Sequence, residues 1–393
     1  MNDTAPRFAP WPSFEPAEIE AVSAVLESGQ VNYWTGTQAR EFEREQAASA
    51  GTRYAVALAN GTVALELALA GLNLRPGDEV ITSPRTFIAS ASCAVMRGAK
   101  PVFADVDADS QNITADSIQP VVTPRTRAII PVHLAGWPCE MDEIMELAEA
   151  RGLTVIEDCA QASGATYRNR PVGGLGHIGA FSYCQDKIIT TGGEGGMLTT
   201  SDEATWSRAW SYKDHGKSYA AVYEQTHPPG YRWLHESFGT NWRMTEMQAA
   251  IGRLQLRNLA QSVAKRSSNA ELLRAGLNGT PGLRVPTVPD HIRHANYRFY
   301  VFVELDALRA DWSRDRIMAE IVARGVPCTT GSCSEVYLEK AFDSLGCRPE
   351  KPLPMARALG KSSLAFMVHP TLGTEQMEYT CRAVSEVMRT AIR

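Results

Sequence analysis

The sequence predicts an α/β protein with a large domain on a mostly parallel sheet flanked by helices, followed by a smaller α+β domain. Three observations carry this. Short, nearly unbroken apolar runs (YAVALA, EVITSP, KPVFADV, RAIIPVHL, LTVIEDC, AFSYC, GMLTT) alternate with helical segments up to Thr200. Strands of that kind belong to parallel sheets buried on both faces, whereas a strand with one wet face alternates polar and apolar. The length, 393 residues, is enough for two domains, and 44 % hydrophobic with 21 % charged residues is ordinary for a soluble globular chain.

The elements follow in order. Ile19, Val22, Val25 and Leu26 recur at helical spacing and Gly29 stops that helix. Val31 to Gln38 is an aromatic-bearing loop, and Ala39 to Ala50 a second helix. Helices are expected over Thr62 to Leu72, Ile88 to Arg97 and Glu143 to Ala150, between the strands. After Thr200 the composition changes. Residues 201–240 are rich in Trp, Tyr, Lys and His with no clear strand, and are expected to be a long surface excursion. One long helix is expected from Thr245 to about Leu277. The smaller domain would hold strands in YRFYVFVEL and SSLAFMV and helices over Arg314 to Arg324 and Thr374 to Ile392. The expected division is 1–255, including an amino-terminal arm 1–35, and 256–393.

Composition excludes several classes. A formal charge of -5 argues against a general nucleic-acid binder. The opening MNDTAPRFAPWPSF has no apolar core of a secretory signal, and no run of about 18 apolar residues predicts a membrane span. The eight cysteines are scattered, with no CxxC pair and no zinc spacing, so reduced thiols in a cytoplasmic protein and no metal site are expected. Four N-x-[ST] triplets, at Asn2, Asn60, Asn112 and Asn278, carry no weight without a secretion signal.

The chemistry lies between Val155 and Thr200. A buried strand delivers an acid, Asp158, at its carboxyl end, and Gln161 follows. The next strand leads to Lys187 and a glycine-dense turn. A carboxylate and then a lysine at successive strand ends suit pyridoxal phosphate (PLP): the lysine forms the Schiff base and the acid keeps the pyridine nitrogen protonated. The plain alternatives are a solvated surface lysine and an Asp that caps a helix. Glu157 and Asp158 are neighbours, and side chains alternate along a strand, so the two acids point opposite ways. Gly61-Thr62 opens a helix after a strand, where N–H groups and the helix dipole favour an anion; alternatively Thr62 merely caps that helix. Gly174 to Gly179 fits GxGxxG, but it runs into a strand and not a helix, so a dinucleotide site is not expected. His133, at a strand end, is by itself more often a structural residue.

These stretches, with NGTVALELAL, GDEVITSPRTF and NWRMTEMQAAIG, resemble the nucleotide-sugar aminotransferases of the DegT family. The resemblance spans roughly Phe14 to Thr371 and is densest from Asn60 to Gly252. It implies fold type I of the PLP-dependent transferases and an amino transfer, with glutamate as donor, onto a nucleotide-linked keto-sugar for polysaccharide or antibiotic sugars. It places Lys187 at the Schiff-base position, Asp158 at the pyridine nitrogen, Gln161 at the ring hydroxyl and Phe87 on the ring face. Gly61, Thr62 and Ser182 fall at the phosphate, and Asn241 falls where the partner of a homodimer reaches that phosphate. His133 then borders the active site. Where the family often has a His opening the small domain, this chain has HANYRFYVF. Arg85 and Arg298 are expected either at a substrate phosphate or carboxylate or on the surface, Arg85 rather on the surface. The rivals are a PLP enzyme making an aminocyclitol or amino-hydroxybenzoate, a sugar dehydratase with His in place of the lysine, and a non-catalytic sensor of the same fold.

Overall fold

A computed structural model describes residues 5–393; the Asn2 triplet lies outside the described residues. The chain opens with α1 (Pro16–Ser28) and α2 (Gln38–Ala50), each ended by a glycine in the left-handed region, Gly29 and Gly51. Then come β1 (Tyr54–Leu58), α3 (Gly61–Ala70), β2 (Glu79–Thr82), α4 (Ala89–Met96), β3 (Lys100–Phe103), α5 (Ala115–Ile118), β4 (Thr126–Ile130), α6 (Met141–Arg151) and β5 (Thr154–Asp158). Two short strands, β6 (Thr166–Tyr167) and β7 (Arg170–Pro171), precede β8 (Ile178–Ser182) and β9 (Gly196–Thr200). Helices α7 (Glu203–Lys213), α8 (Tyr219–Tyr223), α9 (Glu246–Arg257) and α10 (Leu259–Leu277) lead to β10 (Leu283–Arg284), β11 (Ile292–Arg293) and β12 (Phe299–Val303). The chain closes with α11 (Arg314–Ala323), β13 (Cys328–Thr329), α12 (Pro354–Ser362), β14 (Ser363–Phe366) and α13 (Thr374–Ala391).

Seven strands form the large sheet in the order β1-β9-β8-β5-β4-β2-β3. The pairs β2–β3, β2–β4, β4–β5 and β5–β8 are parallel, and β9 runs antiparallel to both β1 and β8. Every residue of β2 and β9 is buried, as a sheet covered on both faces requires. All its strands come from residues 54–200. A four-stranded antiparallel sheet, β10-β12-β14-β13, uses only residues 283–366. Leu273, Val301, Ile317, Leu364 and Val384 fill its core beneath α10, α11 and α13. A third sheet, β11-β6-β7, pairs residues 166–171 with 292–293 and so ties the two larger ones together.

Two local expectations need correction. The helix expected from Thr245 to Leu277 is two helices, and Asn258, at φ -90 and ψ 0, is the shared residue where the turn breaks. The stretch after Thr200 is not all surface excursion. Glu203–Lys213 is a regular helix, capped by the Asp202 side chain on Thr205 N–H, with Trp210 and Lys213 buried. The apolar row of α1 is mostly unburied: Val25 is covered, but Ile19 is 63 % and Leu26 56 % exposed.

The buried end of α7 locks the amino-terminal helices to the sheet. Lys213 Nζ donates to Glu43 Oε1 at 2.7 Å and lies 3.9 Å from the centre of the Tyr33 ring. The same carboxylate accepts from the Ala57 N–H of β1 and from the Tyr33 hydroxyl, which in turn accepts from the Trp210 indole. Burial pulls the Lys213 ammonium below its usual value, and Glu43, with Asp214 behind it, opposes that. Removing one member of such a pair leaves the other charge stranded. Lys213→Met should therefore destabilise the fold by about 3 kcal/mol, read as a lower urea midpoint with an unchanged slope.

Candidate active site

The site begins with the two acids that end β5. Asp158 pairs with Ala180 of β8, and its backbone is held further by Pro131 and His133. Its carboxylate faces a cavity of about 640 Å³ at the carboxyl ends of β5 and β8. Oδ2 accepts from the Ser90 hydroxyl at 2.7 Å, and Ser90 is itself 2.7 Å from Thr86 Oγ1. Oδ1 accepts from Ala160 N–H at 3.1 Å. The group is buried, and no cation forms an ion pair with it among the described residues.

Glu157 points the other way, as strand alternation demands. Its carboxylate accepts from the N–H groups of Gly173, Leu175 and Gly176 at 2.7 to 2.8 Å, and His133 Nε2 lies 3.0 Å away. His133 Nδ1 accepts from Cys139 N–H, so Nε2 carries the proton and donates to Glu157. The GxGxxG run does cradle an anion, but it is the chain's own carboxylate. His133 is wholly buried behind the strand and does not line the cavity, which corrects its expected place beside the site. His133, Glu157 and Cys159 lie close enough together to suggest metal ligands. The hydrogen bonds just given already engage both ring nitrogens and both carboxylate oxygens.

The start of α3 supplies the opposite chemistry. Asn60, not Thr62, caps this helix by accepting from Val63 N–H, which leaves Thr62 exposed and lining the cavity. Gly61 packs so closely on β8 that a Cβ would sit 2.5 Å from Ser182 Cβ. Only a glycine brings these backbone N–H groups beside the Ser182 hydroxyl. Gln161 lines the same cavity. Ala135 N–H donates to its Oε1 at 2.8 Å, so its NH₂ is left to donate. Phe87 stands at the mouth, 69 % exposed, and is therefore not a core residue.

Lys187 comes from the turn after β8, its N–H bonded to Cys184 C=O. Its side chain is largely buried, with Nζ 3.5 Å from Asp186 Oδ1 and 5.2 Å from the centre of the Tyr297 ring. Sequence reasoning missed Asp186, Tyr297, Ser90 and Trp11. Tyr297 donates its hydroxyl to Asp186, and Trp11 donates its indole N–H to the carbonyl of Lys187 at 2.9 Å. Asp186 adjoins Lys187 in sequence and could have been found there; the others arrive from distant segments. Burial would raise the Asp186 carboxyl, but Lys187, Tyr297 and Arg298 together hold it below its usual range.

Two residues lie elsewhere. Asn241 is exposed and does not line its own chain's cavity. Arg85, expected at the surface, is fully buried. Its Nε donates to Gln111 and its Nη1 to Ser334, both at 2.7 Å, so it pins the loop after β2 to the loop after β13.

A model of the DegT/DnrJ/EryC1/StrS aminotransferase family matches residues 12–385. The chain belongs to that family. The solved structure of an aminotransferase from Psychrobacter cryohalolentis superposes with a TM-score of 0.96 at 57 % identity, covering 98 % of this chain and 99 % of that one. A GDP-perosamine synthase of Caulobacter vibrioides is 43 % identical, with 88 % of this chain and 89 % of that protein covered. A dTDP-3-amino-3,4,6-trideoxy-alpha-D-glucose transaminase of Streptomyces venezuelae is 34 % identical over 93 % of this chain and 90 % of that protein.

The protein is thus an aminotransferase of fold type I. Among the described residues no helix is long and apolar enough to cross a membrane, and all eight cysteines are free thiols. The cavity suits PLP on two counts. It holds a buried carboxylate that lacks a cation, and it opens on a helix start at Gly61, which carries no side chain. Because the two acids of β5 do different work, they should separate in stability. Glu157→Gln should lose about 2–3 kcal/mol, because an amide cannot accept from four donors. Asp158→Asn should be no less stable than the parent, since it removes a buried charge without a counter-ion. Thermal unfolding of the cofactor-free proteins checks both.

Proposed function

We propose that this aminotransferase uses PLP to move an amino group from glutamate to a nucleotide-linked keto-sugar. The observation that carries the reading is the meeting of Asp158 and Lys187 in one cavity, lined also by Gly61, Thr62 and Ser182. PLP, when bound, supplies the electron sink for the carbanion formed at the donor's α-carbon. Asp158 would keep the ring nitrogen protonated through a charge-assisted hydrogen bond, itself held in place by Ser90 and Ala160. The start of α3 and Ser182 would hold the phosphate, Gln161 would donate its amide to the ring hydroxyl, and Phe87 would cover the ring. Lys187 Nζ would take the proton from the α-carbon as general base. Asp186 and Tyr297 keep that amine from swinging away.

Support for the acceptor comes from the relatives, two of which are named for GDP- and dTDP-linked sugars. Both Asp158 and Lys187 are present, which favours an enzyme over a sensor and a transaminase over a dehydratase with His at that position. A panel of nucleotide keto-sugars offered with glutamate tests the reading directly. The purified protein should be yellow, and glutamate alone should bleach it. Lys187→Ala should stay folded and lose turnover entirely; activity within about tenfold of the parent would reject the role of Lys187, because loss of a covalent catalyst costs several kcal/mol of barrier.

The site is proposed to be shared in a two-fold dimer. Asn241 is exposed away from its own cavity, and Ile19, Leu26, Trp233 and Phe238 leave large apolar surface uncovered. Asn241 would reach the phosphate in the partner's cavity. Lys187→Ala and Asn241→Asp should then complement on mixing, since a mixed dimer gathers both lesions in one site and frees the other. No recovery after verified subunit exchange would assign Asn241 to its own chain or to no site.

A further inference from the structure

Behind Asp158 stands a short chain of hydroxyl groups. Ser90, in the first turn of α4, donates to Asp158 Oδ2 at 2.7 Å, and Thr86 Oγ1 lies 2.7 Å from the Ser90 oxygen. Both residues are buried, and both line the cavity that holds Asp158 and Lys187. Neither hydroxyl has another hydrogen-bond partner among the described residues. The loop that carries Thr86 is tied down on either side. Arg85 donates to Gln111 and Ser334, and Val336 N–H donates to the Pro84 carbonyl at 2.9 Å. Ser90 N–H bonds to the Phe87 carbonyl at 3.2 Å.

The direction of the chain follows from counting hydrogens. An ionised carboxylate only accepts, and a hydroxyl has one hydrogen to give. Ser90 gives its hydrogen to Asp158, so the contact between the two hydroxyls must use the hydrogen of Thr86. The chain therefore runs one way, from Thr86 through Ser90 to Asp158. Each donor polarises the next, and a dry setting strengthens the effect. The other carboxylate oxygen, Oδ1, accepts from Ala160 N–H at 3.1 Å.

We propose that Thr86 and Ser90 are positioning residues that donate in series to Asp158 and so keep the shared proton on the ring nitrogen of PLP. The inference rests on the PLP reading above and adds two residues that act through Asp158. A carboxylate and a pyridine nitrogen that face each other compete for one proton. Every hydrogen bond donated to the carboxylate favours its charged form. The ring draws electrons from the reacting carbon best while its nitrogen keeps the proton. Loss of a donor should tip the proton towards Asp158 without moving either group far.

The test loads the protein with PLP labelled with nitrogen-15 in the ring. The chemical shift of that nucleus separates a protonated ring nitrogen from a bare one. The parent should show the protonated form. Thr86→Val keeps the shape of the side chain and loses only the hydroxyl, so the shift should move part-way towards bare pyridine. Ser90→Ala should move it further, and Thr86→Ser, which keeps a hydroxyl, should match the parent. The rate at which saturating glutamate bleaches the yellow colour should fall about 3- to 10-fold in Thr86→Val and about 10- to 100-fold in Ser90→Ala. The half-saturating glutamate concentration should not change. A shift equal to the parent's in both Thr86→Val and Ser90→Ala would overturn the proposal. So would a change in Thr86→Ser as large as in Thr86→Val, which would trace the effect to packing. A parent with a bare ring nitrogen, or one whose shift matches that of Asp158→Asn, would reject Asp158 as the partner of the ring, and the relay would fall with it.

Discussion

Everything at this site depends on the alternation of two neighbouring acids at the end of β5. The pleat sends consecutive side chains to opposite faces. Glu157 goes behind the sheet into a nest of three backbone N–H groups and the His133 imidazole, where its charge is answered completely. Asp158 goes forward into a cavity where it meets a hydroxyl and one N–H but no cation. The rear acid fixes the end of β5 and the loop before β8. With both strands held, Asp158 and Lys187 are presented to one cavity.

Much of the architecture was legible because it rests on local rules. Unbroken apolar runs gave the parallel sheet, and glycines at Gly29 and Gly51 ended helices where a left-handed residue was needed. Asp158, the last residue of β5, and Lys187, after β8, stood out by their strand-end positions together with the family resemblance, and the fold brings both to one cavity. What failed turned on long-range packing. The periodicity from Thr245 to Leu277 is genuine, yet the axis must turn at Asn258 for α10 to reach the second sheet. Arg85 looks like a surface residue in SPRTF, and only the arrival of Ser334, some 250 residues later, buries it. The glycines of GxGxxG suit an anion, but nothing local says that the anion is Glu157.

The missed site residues share one cause. Tyr297 comes from the segment entering β12 and Trp11 from the amino-terminal arm, yet both close on the turn that bears Lys187. Their spacing in sequence carries no sign of this, since the sheets alone decide which distant segments meet. Three of the four sequon asparagines lie within the described residues, and two have plain structural work. Asn60 caps α3, and buried Asn112 donates to the Trp137 carbonyl and accepts from Leu134 N–H. Both are engaged in the fold, which is why a surface motif has no bearing on them.

The cavity also shows what a fold gives up for chemistry. Behind the sheet and at the end of α7, two buried charges are answered, Glu157 by its nest and Lys213 by Glu43. At the cavity Asp158 lacks a cation, and Lys187 shares one carboxylate, Asp186, with Arg298. A sequence selected only for stability would replace such groups with apolar residues or supply partners from its own chain. An uncompensated acid in that cavity fits a ligand of complementary charge better than a structural need. A cationic ring nitrogen opposite Asp158 would answer it. The large sheet, with its strands buried on both faces, is what can hold that imbalance in place while the cavity is empty.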